Sequence, residues 1–270
     1  MTEALNGAAH DATPTPAANA TANPSQRIAL VDRKRHAGKR VRPISDWAFA
    51  RDANAVPLTG VEFGEAAREM PIGFVYVGKD ANDKPKLVPM ALMGLREKDN
   101  LLVTADGRWD ARFVPATLRR YPFAYVRTQG GEKLTLVIDE AYGGLNDDEG
   151  ELLVTAEGEP TEYLQNIMRF LDRYELEQQR TEQFCARLVE LELLRGAEIK
   201  GDLPDGDKVN ATGFFMVDED KLGKLPDAEV LALHRTGMMA LIHTHLVSMG
   251  QVQALAQRLE ARKPAKAATA

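Results

Sequence analysis

Seven side chains carry the chemistry this 270-residue chain could perform: His36, Lys39, Arg40, Arg108, Trp109, Arg120 and Tyr121. Arginine presents a planar fork of N–H donors that holds a carboxylate through two parallel bonds. Aromatic faces stack on a guanidinium or on an apolar ligand. Arg108-Trp109 and Arg120-Tyr121 each place a guanidinium beside a ring, and Arg35-His36 and Lys39-Arg40 add cations upstream. Together they form a candidate recognition surface for a protein or peptide partner. The same cations could instead pair with the nine acidic residues between Asp139 and Glu162, a stretch with no basic residue, and so pin loops to a sheet. His36 also admits a catalytic reading as general base, provided it lines a pocket beside Asp139 or Glu140. Adjacent side chains at a strand end point to opposite faces, so Asp139 and Glu140 do not work as a carboxylate pair. One of them is instead expected to bridge Arg40 or Arg120.

Other chemistries fail on spacing. The serines are Ser25, Ser45 and Ser248, and Leu246-Val247-Ser248-Met249-Gly250 lacks the first glycine of a nucleophile elbow. Ser248 is expected inside a helix. His243 and His245 lie two apart, which on a helix turns them about 200° from one another, so they share no metal ion. His245 falls on an apolar stripe and is expected as a satisfied core or interface histidine. Gly201 and Gly206 have phosphate-loop spacing, but Asp207-Lys208 follows where Lys and Ser or Thr belong. Around Gly150, Leu145 and Ala156 stand where a calcium loop needs its first and last ligands. No metal and no cofactor is expected. The net charge of −6 argues against a nucleic-acid binder, whose phosphate contacts need a basic surface.

The elements that must position these residues spell an α+β fold, with a mainly antiparallel sheet in the N-terminal half followed by a helical C-terminal half. Residues 1–26, rich in Ala, Thr, Pro and Asn, read as a disordered tail. Residues 27–140 form a β-rich core, 141–262 the mainly helical part of the same domain, and 263–270 a frayed end. Strands are predicted over 72–77, 87–93, 100–104, 123–127 and 134–138, with a turn at 129–132. Pro89 lacks a donor and places its strand at an edge or a bend. The stretch from Leu101 to Phe123 is expected in the middle of the sheet. A helix starts at Pro160 and exits at Gly196, either unbroken or interrupted near Gln178 to Thr181. A β excursion at Lys208 to Asp218 and helices over 226–235 and 238–262 follow, and the apolar faces of these helices suit a homo-oligomer. The basic segment Arg27 to Arg42 has an apolar handle at Ile28-Ala29-Leu30-Val31. It either lies across the domain as an arm or stays a solvated lead-in.

No run of 18 apolar residues exists, so no integral membrane segment is expected. The first 24 residues carry Glu3 and Asp11 and neither lysine, arginine nor an apolar segment, unlike a secretory signal. With a single cysteine, Cys185, an internal disulfide is excluded. The expected address is the cytoplasm.

With these residues set out, the chain resembles the SapC family. The likeness rests on Arg35-His36-Ala37-Gly38-Lys39-Arg40, Trp47-Ala48-Phe49-Ala50, Val56-Pro57-Leu58, Pro71-Ile72-Gly73-Phe74, Gly94-Leu95, Asn100-Leu101, Gly107-Arg108-Trp109, Val114-Pro115-Ala116, Arg120-Tyr121-Pro122-Phe123 and Ile138-Asp139-Glu140. It covers residues 35–140 and continues more weakly to Leu259. Trp47, where a tyrosine is more usual, and Asp110-Ala111-Arg112, where small residues are commoner, depart from the pattern. The family takes its name from a gene associated with a bacterial paracrystalline surface layer. Some members carry a peptide-transporter label, at odds with a chain lacking a membrane helix. Relatives tend to be encoded near outer-membrane TonB-dependent receptors and flavin halogenase-like proteins. The resemblance therefore implies a non-catalytic accessory or binding protein of a surface-layer or outer-membrane uptake system, with surface association. Its alternatives are an enzyme acting on a peptide or small acid in that pathway, with His36 as base, and a surface-layer structural subunit. No catalytic residues are established for the family, so none transfer.

Overall fold

The computed structural model describes residues 27–80, 82–127, 134–202 and 208–262. The expected tails, the turn at 129–132 and Gly206 lie outside the described residues. The strands are β1 (Ile28–Leu30), β2 (Arg40–Val41), β3 (Ala55–Pro57), β4 (Ile72–Lys79), β5 (Pro85–Leu92), β6 (Phe123–Arg127), β7 (Leu134–Asp139), β8 (Leu145–Asn146), β9 (Glu151–Leu152), β10 (Leu194–Asp202) and β11 (Lys208–Val217). The helices are α1 (Phe63–Ala66), α2 (Ala116–Arg119), α3 (Glu162–Glu190), α4 (Glu219–Leu222), α5 (Asp227–Arg235), α6 (Met238–Ser248) and α7 (Gln251–Ala261). The strands make a five-stranded sheet of order β10-β11-β4-β5-β3 and two three-stranded sheets, β1-β7-β6 and β8-β2-β9, paired antiparallel throughout. The fold is α+β, with sheets mostly in the N-terminal half and helices in the C-terminal half.

Helix α3 is the spine. Thr161 caps it by accepting the Leu164 N–H, Glu162 sits in its first turn and Arg187 in its last, the charge order a helix dipole favours. Its 29 residues span roughly 43 Å at 1.5 Å per residue. The N-terminal half buries Leu164 and Leu171 against Val41, Phe123 and Ile138 of the two small sheets and against Leu153, just past β9. The C-terminal half buries Phe184, Cys185 and Leu188 against the five-stranded sheet. Phe184 meets Phe63 and Phe74, each with ring centroids 6.1 Å away. Burial pushes the Cys185 thiol up to about 12, so it behaves as an apolar core residue.

Several expectations need correction. The helix is unbroken and ends at Glu190, not Gly196: Glu192 takes a left-handed φ of 53° and Gly196 lies inside β10. Strand β10, unpredicted, pairs with β11, which then joins β4 through Phe214 and Phe215. The C-terminal half thus completes the N-terminal sheet. The expected strand at 100–104 is a turn with one bridge, Val103 to Trp109. Buried Asn100 explains it: its amide donates to the Ala50 carbonyl and accepts from Leu102 N–H, supplying locally the bonds a ladder would have made. Leu101 to Phe123 is accordingly a connector between sheets rather than the middle of one. Strand β5 is flanked on both sides, so Pro89 is not at an edge. Its carbonyl accepts from Leu58 N–H, which turns its nitrogen past the end of β3, where the missing donor breaks no bond to β4. The last predicted helix is two, α6 and α7, parted at Met249-Gly250.

Ser248 and His245 lie within α6 as expected and clamp it to the sheet. Ser248 Oγ accepts Ile72 N–H at 2.9 Å. The buried His245 ring donates from Nδ1 to the Ile72 carbonyl (2.7 Å) and accepts Val217 N–H at Nε2 (3.1 Å). His243, two residues before, is exposed. Burial pushes His245 down to about 4 from 6.5. The unfolded chain therefore takes up this proton more readily: the contribution is complete above about pH 6.5 and is lost as pH falls toward 4. Denaturant unfolding should show the native chain losing roughly 2 kcal/mol more than His245→Gln between pH 7 and pH 4.5. Parallel losses in both proteins would contradict this.

Candidate functional site

The basic segment is an arm. Strand β1 lies along β7, and the Arg27 N–H reaches Asp139 Oδ1 at 2.9 Å. His36 is buried, 1% exposed; its Nδ1 accepts Asp32 N–H at 3.0 Å and its Nε2 stands 3.4 Å from Glu140 Oε1 without a hydrogen bond. Arg35 pairs with the other oxygen of Glu140. Beyond, β2 threads between β8 and β9. There Lys39 pairs with Asp147 at 2.7 Å, Arg40 donates to the Gly150 carbonyl, and Arg42 faces Glu149 at 3.6 Å. The arm's cations therefore meet the acidic stretch. Neither Asp139 nor Glu140 bridges Arg40 or Arg120 as expected. Asp139 is buried and accepts from Arg27 N–H, Ala141 N–H and the Tyr121 hydroxyl instead, while Glu140 serves Arg35 and His36.

The rings converge elsewhere. Trp109 packs on Trp47 (5.4 Å between centroids), Trp47 on Phe49 (5.8 Å), Phe49 stacks on Tyr121 (4.3 Å), and Tyr121 meets Tyr142 edge-on (5.3 Å). Sequence-distant loops are brought together by a few bonds. The Trp47 N–H donates to the Gly107 carbonyl, and Gly107 holds φ at 82°, where a side chain would also strike Asp46 at 2.2 Å. Trp109 Nε1 donates to the Phe113 carbonyl at 3.0 Å. Helix α2 is fixed at its start by buried Glu62, which accepts Ala116 N–H at 2.7 Å. The Tyr121–Pro122 bond that follows is cis.

Between the arm, α2 and the start of α3 runs an open groove of about 310 Å³. Trp47, Tyr121, Phe123, Tyr163 and Ile167 form its apolar walls, and Arg42 and Arg119 supply the charge. Arg119 is exposed; its Nε donates to the Val114 carbonyl at 2.9 Å, and its guanidinium lies 6.0 Å from the Phe113 ring centre and 5.6 Å from that of Phe170. Burial pushes the Tyr163 phenol up to about 12, and burial with the neighbouring Asp139 charge pushes Tyr121 up as well. Both hydroxyls stay protonated. The groove is lined by rings, neutral hydroxyls and cations, with no carboxylate or imidazole among its lining residues. Its rings can stack on an apolar group and its guanidinium groups can hold an anion.

Of the seven candidates, Tyr121 and Trp109 join the aromatic run, and Tyr121 alone lines the groove. His36, Lys39 and Arg40 are placed with the acidic loops. Arg108 pairs with Asp106 of its own turn at 2.7 Å, and Arg120 covers the Tyr174 ring at 5.4 Å. Trp47, Arg42, Arg119 and Tyr163 were missed. Trp47 carried a signal as an aromatic beside Phe49, and Arg119 as the neighbour of a chosen arginine.

Tyr121→Phe removes one of the donors to buried Asp139 and should cost about 1–3 kcal/mol of stability. Arg108→Ala, at an exposed ion pair, should stay within about 0.5 kcal/mol. Chemical denaturation of both variants checks this, and equal effects would contradict the placement.

No curated protein and no solved structure matches the chain. The SapC family model matches residues 31–255. The aromatic run, the groove walls and the arm from Val31 onward fall within that span, and the chain belongs to the SapC family.

Proposed function

We propose that this protein is a non-catalytic accessory protein that binds a protein or peptide partner for a bacterial surface-layer or outer-membrane uptake system. The groove is its recognition site; Trp109 backs its wall through Trp47, and His36, Lys39 and Arg40 hold the arm that forms another wall. The observation that carries this reading is the lining of the groove: Trp, Tyr and Arg side chains without a general acid or base. These residue types dominate the energetics of protein interfaces, because they bury large rigid surface and keep a polar edge. Among the described residues, no helix is long and apolar enough to cross a membrane, so a permease role has no support from the helices. The link to a surface layer or to outer-membrane uptake rests on family membership.

One contact favours an enzyme instead, the 3.4 Å approach of His36 to Glu140. A general base must reach its substrate, however, and this ring is enclosed and absent from the groove walls. Turnover of a peptide or small acid abolished by His36→Gln, with stability unchanged, would restore that reading.

The binding reading is tested by recovering the tagged chain from its native cell after mild cross-linking. A discrete partner should accompany the native protein and fall about tenfold or more with Tyr163→Ala, a variant whose near-ultraviolet circular dichroism should match the native protein outside the tyrosine contribution. Equal recovery with the variant, or no partner at all, would contradict it.

A further inference from the structure

The basic residues of the arm and of the groove are unequal. Arg33, Arg35, Lys39 and Arg42 each face an acid of the 139–162 stretch, Glu159, Glu140, Asp147 and Glu149 respectively. Arg119 pairs with no carboxylate among the described residues. It is nevertheless held: Nε is tied to the Val114 carbonyl, and the rings of Phe113 and Phe170 flank the guanidinium. A guanidinium fixed at Nε and between rings keeps its terminal N–H groups in a preset fork, so little freedom is lost when an anion arrives. Those terminal groups belong to a residue that lines the groove, next to the rings of Tyr121, Phe123 and Tyr163.

We propose that the groove recognises an extended acidic peptide, with an Asp or Glu side chain held by Arg119 and an adjacent proline or aromatic residue lying on Trp47, Tyr121 and Tyr163. This rests on the reading of the groove as a binding site. The volume of about 310 Å³ sits at the lower end of small-molecule cavities, and the groove is open, which suits two or three side chains of a longer chain. A polyanion such as nucleic acid is disfavoured, because the acidic loops bordering the arm would repel its repeated charges. A single carboxylate flanked by apolar residues matches Arg119, a groove-lining guanidinium flanked by rings and without a carboxylate partner among the described residues.

A random heptapeptide display library panned against the full-length protein tests this. Synthetic versions of the enriched clones are then titrated by the intrinsic fluorescence of the two tryptophans, Trp47 and Trp109, both of which lie in the aromatic run. Enriched peptides should share an acid at one position beside proline or an aromatic residue. Changing that acid to its amide should weaken binding about tenfold or more, and so should Arg119→Gln. In Arg119→Gln the acid-to-amide change should then cost nothing further, the signature of a direct pair. Arg119→Lys should retain part of the affinity, and Arg108→Gln all of it. Neutral or basic consensus peptides, or an undiminished acid preference in Arg119→Gln, would overturn the proposal while leaving the groove as a binding site. A library with no enriched peptide would overturn both.

Discussion

One helix has to satisfy two cores at once, and the buried polar contacts along its middle fix how it does so. Between the apolar faces at either end of α3 lie Tyr174 and Thr181. Thr181 Oγ1 accepts Gly60 N–H at 2.8 Å, and the Tyr174 hydroxyl meets Thr117 Oγ1 at 2.8 Å. Close by, Glu62 accepts from Thr59 through both its backbone N–H and its hydroxyl, and from Ala116 N–H. Buried polar groups that lose a partner cost about 1–3 kcal/mol each, so this seam tolerates few alternative registers. Its consequence is positional. Helix α2 is short, and its direction is set by Glu62 at one end and Thr117 on Tyr174 at the side. Those contacts send Arg120 onto Tyr174 and leave Arg119 on the groove.

The arm obeys a different balance. Its ion pairs with the acidic loops are largely exposed, and exposed pairs contribute about 0–1 kcal/mol each. What holds it is the backbone ladder of β1 on β7 together with two buried groups, Asp139 beneath Arg27 and His36 against Glu140. The surface charges then govern what approaches. Opposed charges from the arm and the acidic loops largely neutralise one another, and the groove beside them keeps a net positive character through Arg119.

Much of the architecture could be read from residue order. Strong β-branched and aromatic runs gave β4 to β7, and Pro160 with the apolar spacing gave α3. The arm's apolar handle does pair with a sheet. Strand β10 was hidden because Leu194 to Asp202 mixes charges and glycines, and its place comes from pairing with β11 rather than from its own pattern. Asn100 to Thr104 looked like a strand because the decisive bonds come from a side chain, which composition does not reveal. At the site, the aromatic members Trp109 and Tyr121 were visible as residue types. The choice of arginine was not: successive residues of a helical turn diverge by about 100°, so only the packing of α2 on Tyr174 decides which of Arg119 and Arg120 lines the groove. Lys39 and Arg40 meet Asp147 and the Gly150 carbonyl more than a hundred residues further along the chain, pairings that local sequence does not show.

The central claim is that three distant segments, the end of the arm, the α2 exit and the start of α3, form one recognition surface. Hydrogen–deuterium exchange on the full-length protein, alone and with its recovered partner, addresses this directly. The account predicts protection concentrated in peptides covering residues 41–47, 119–123 and 163–167. Protection that leaves these segments unchanged and falls on the exposed faces of α5 to α7 instead would contradict it.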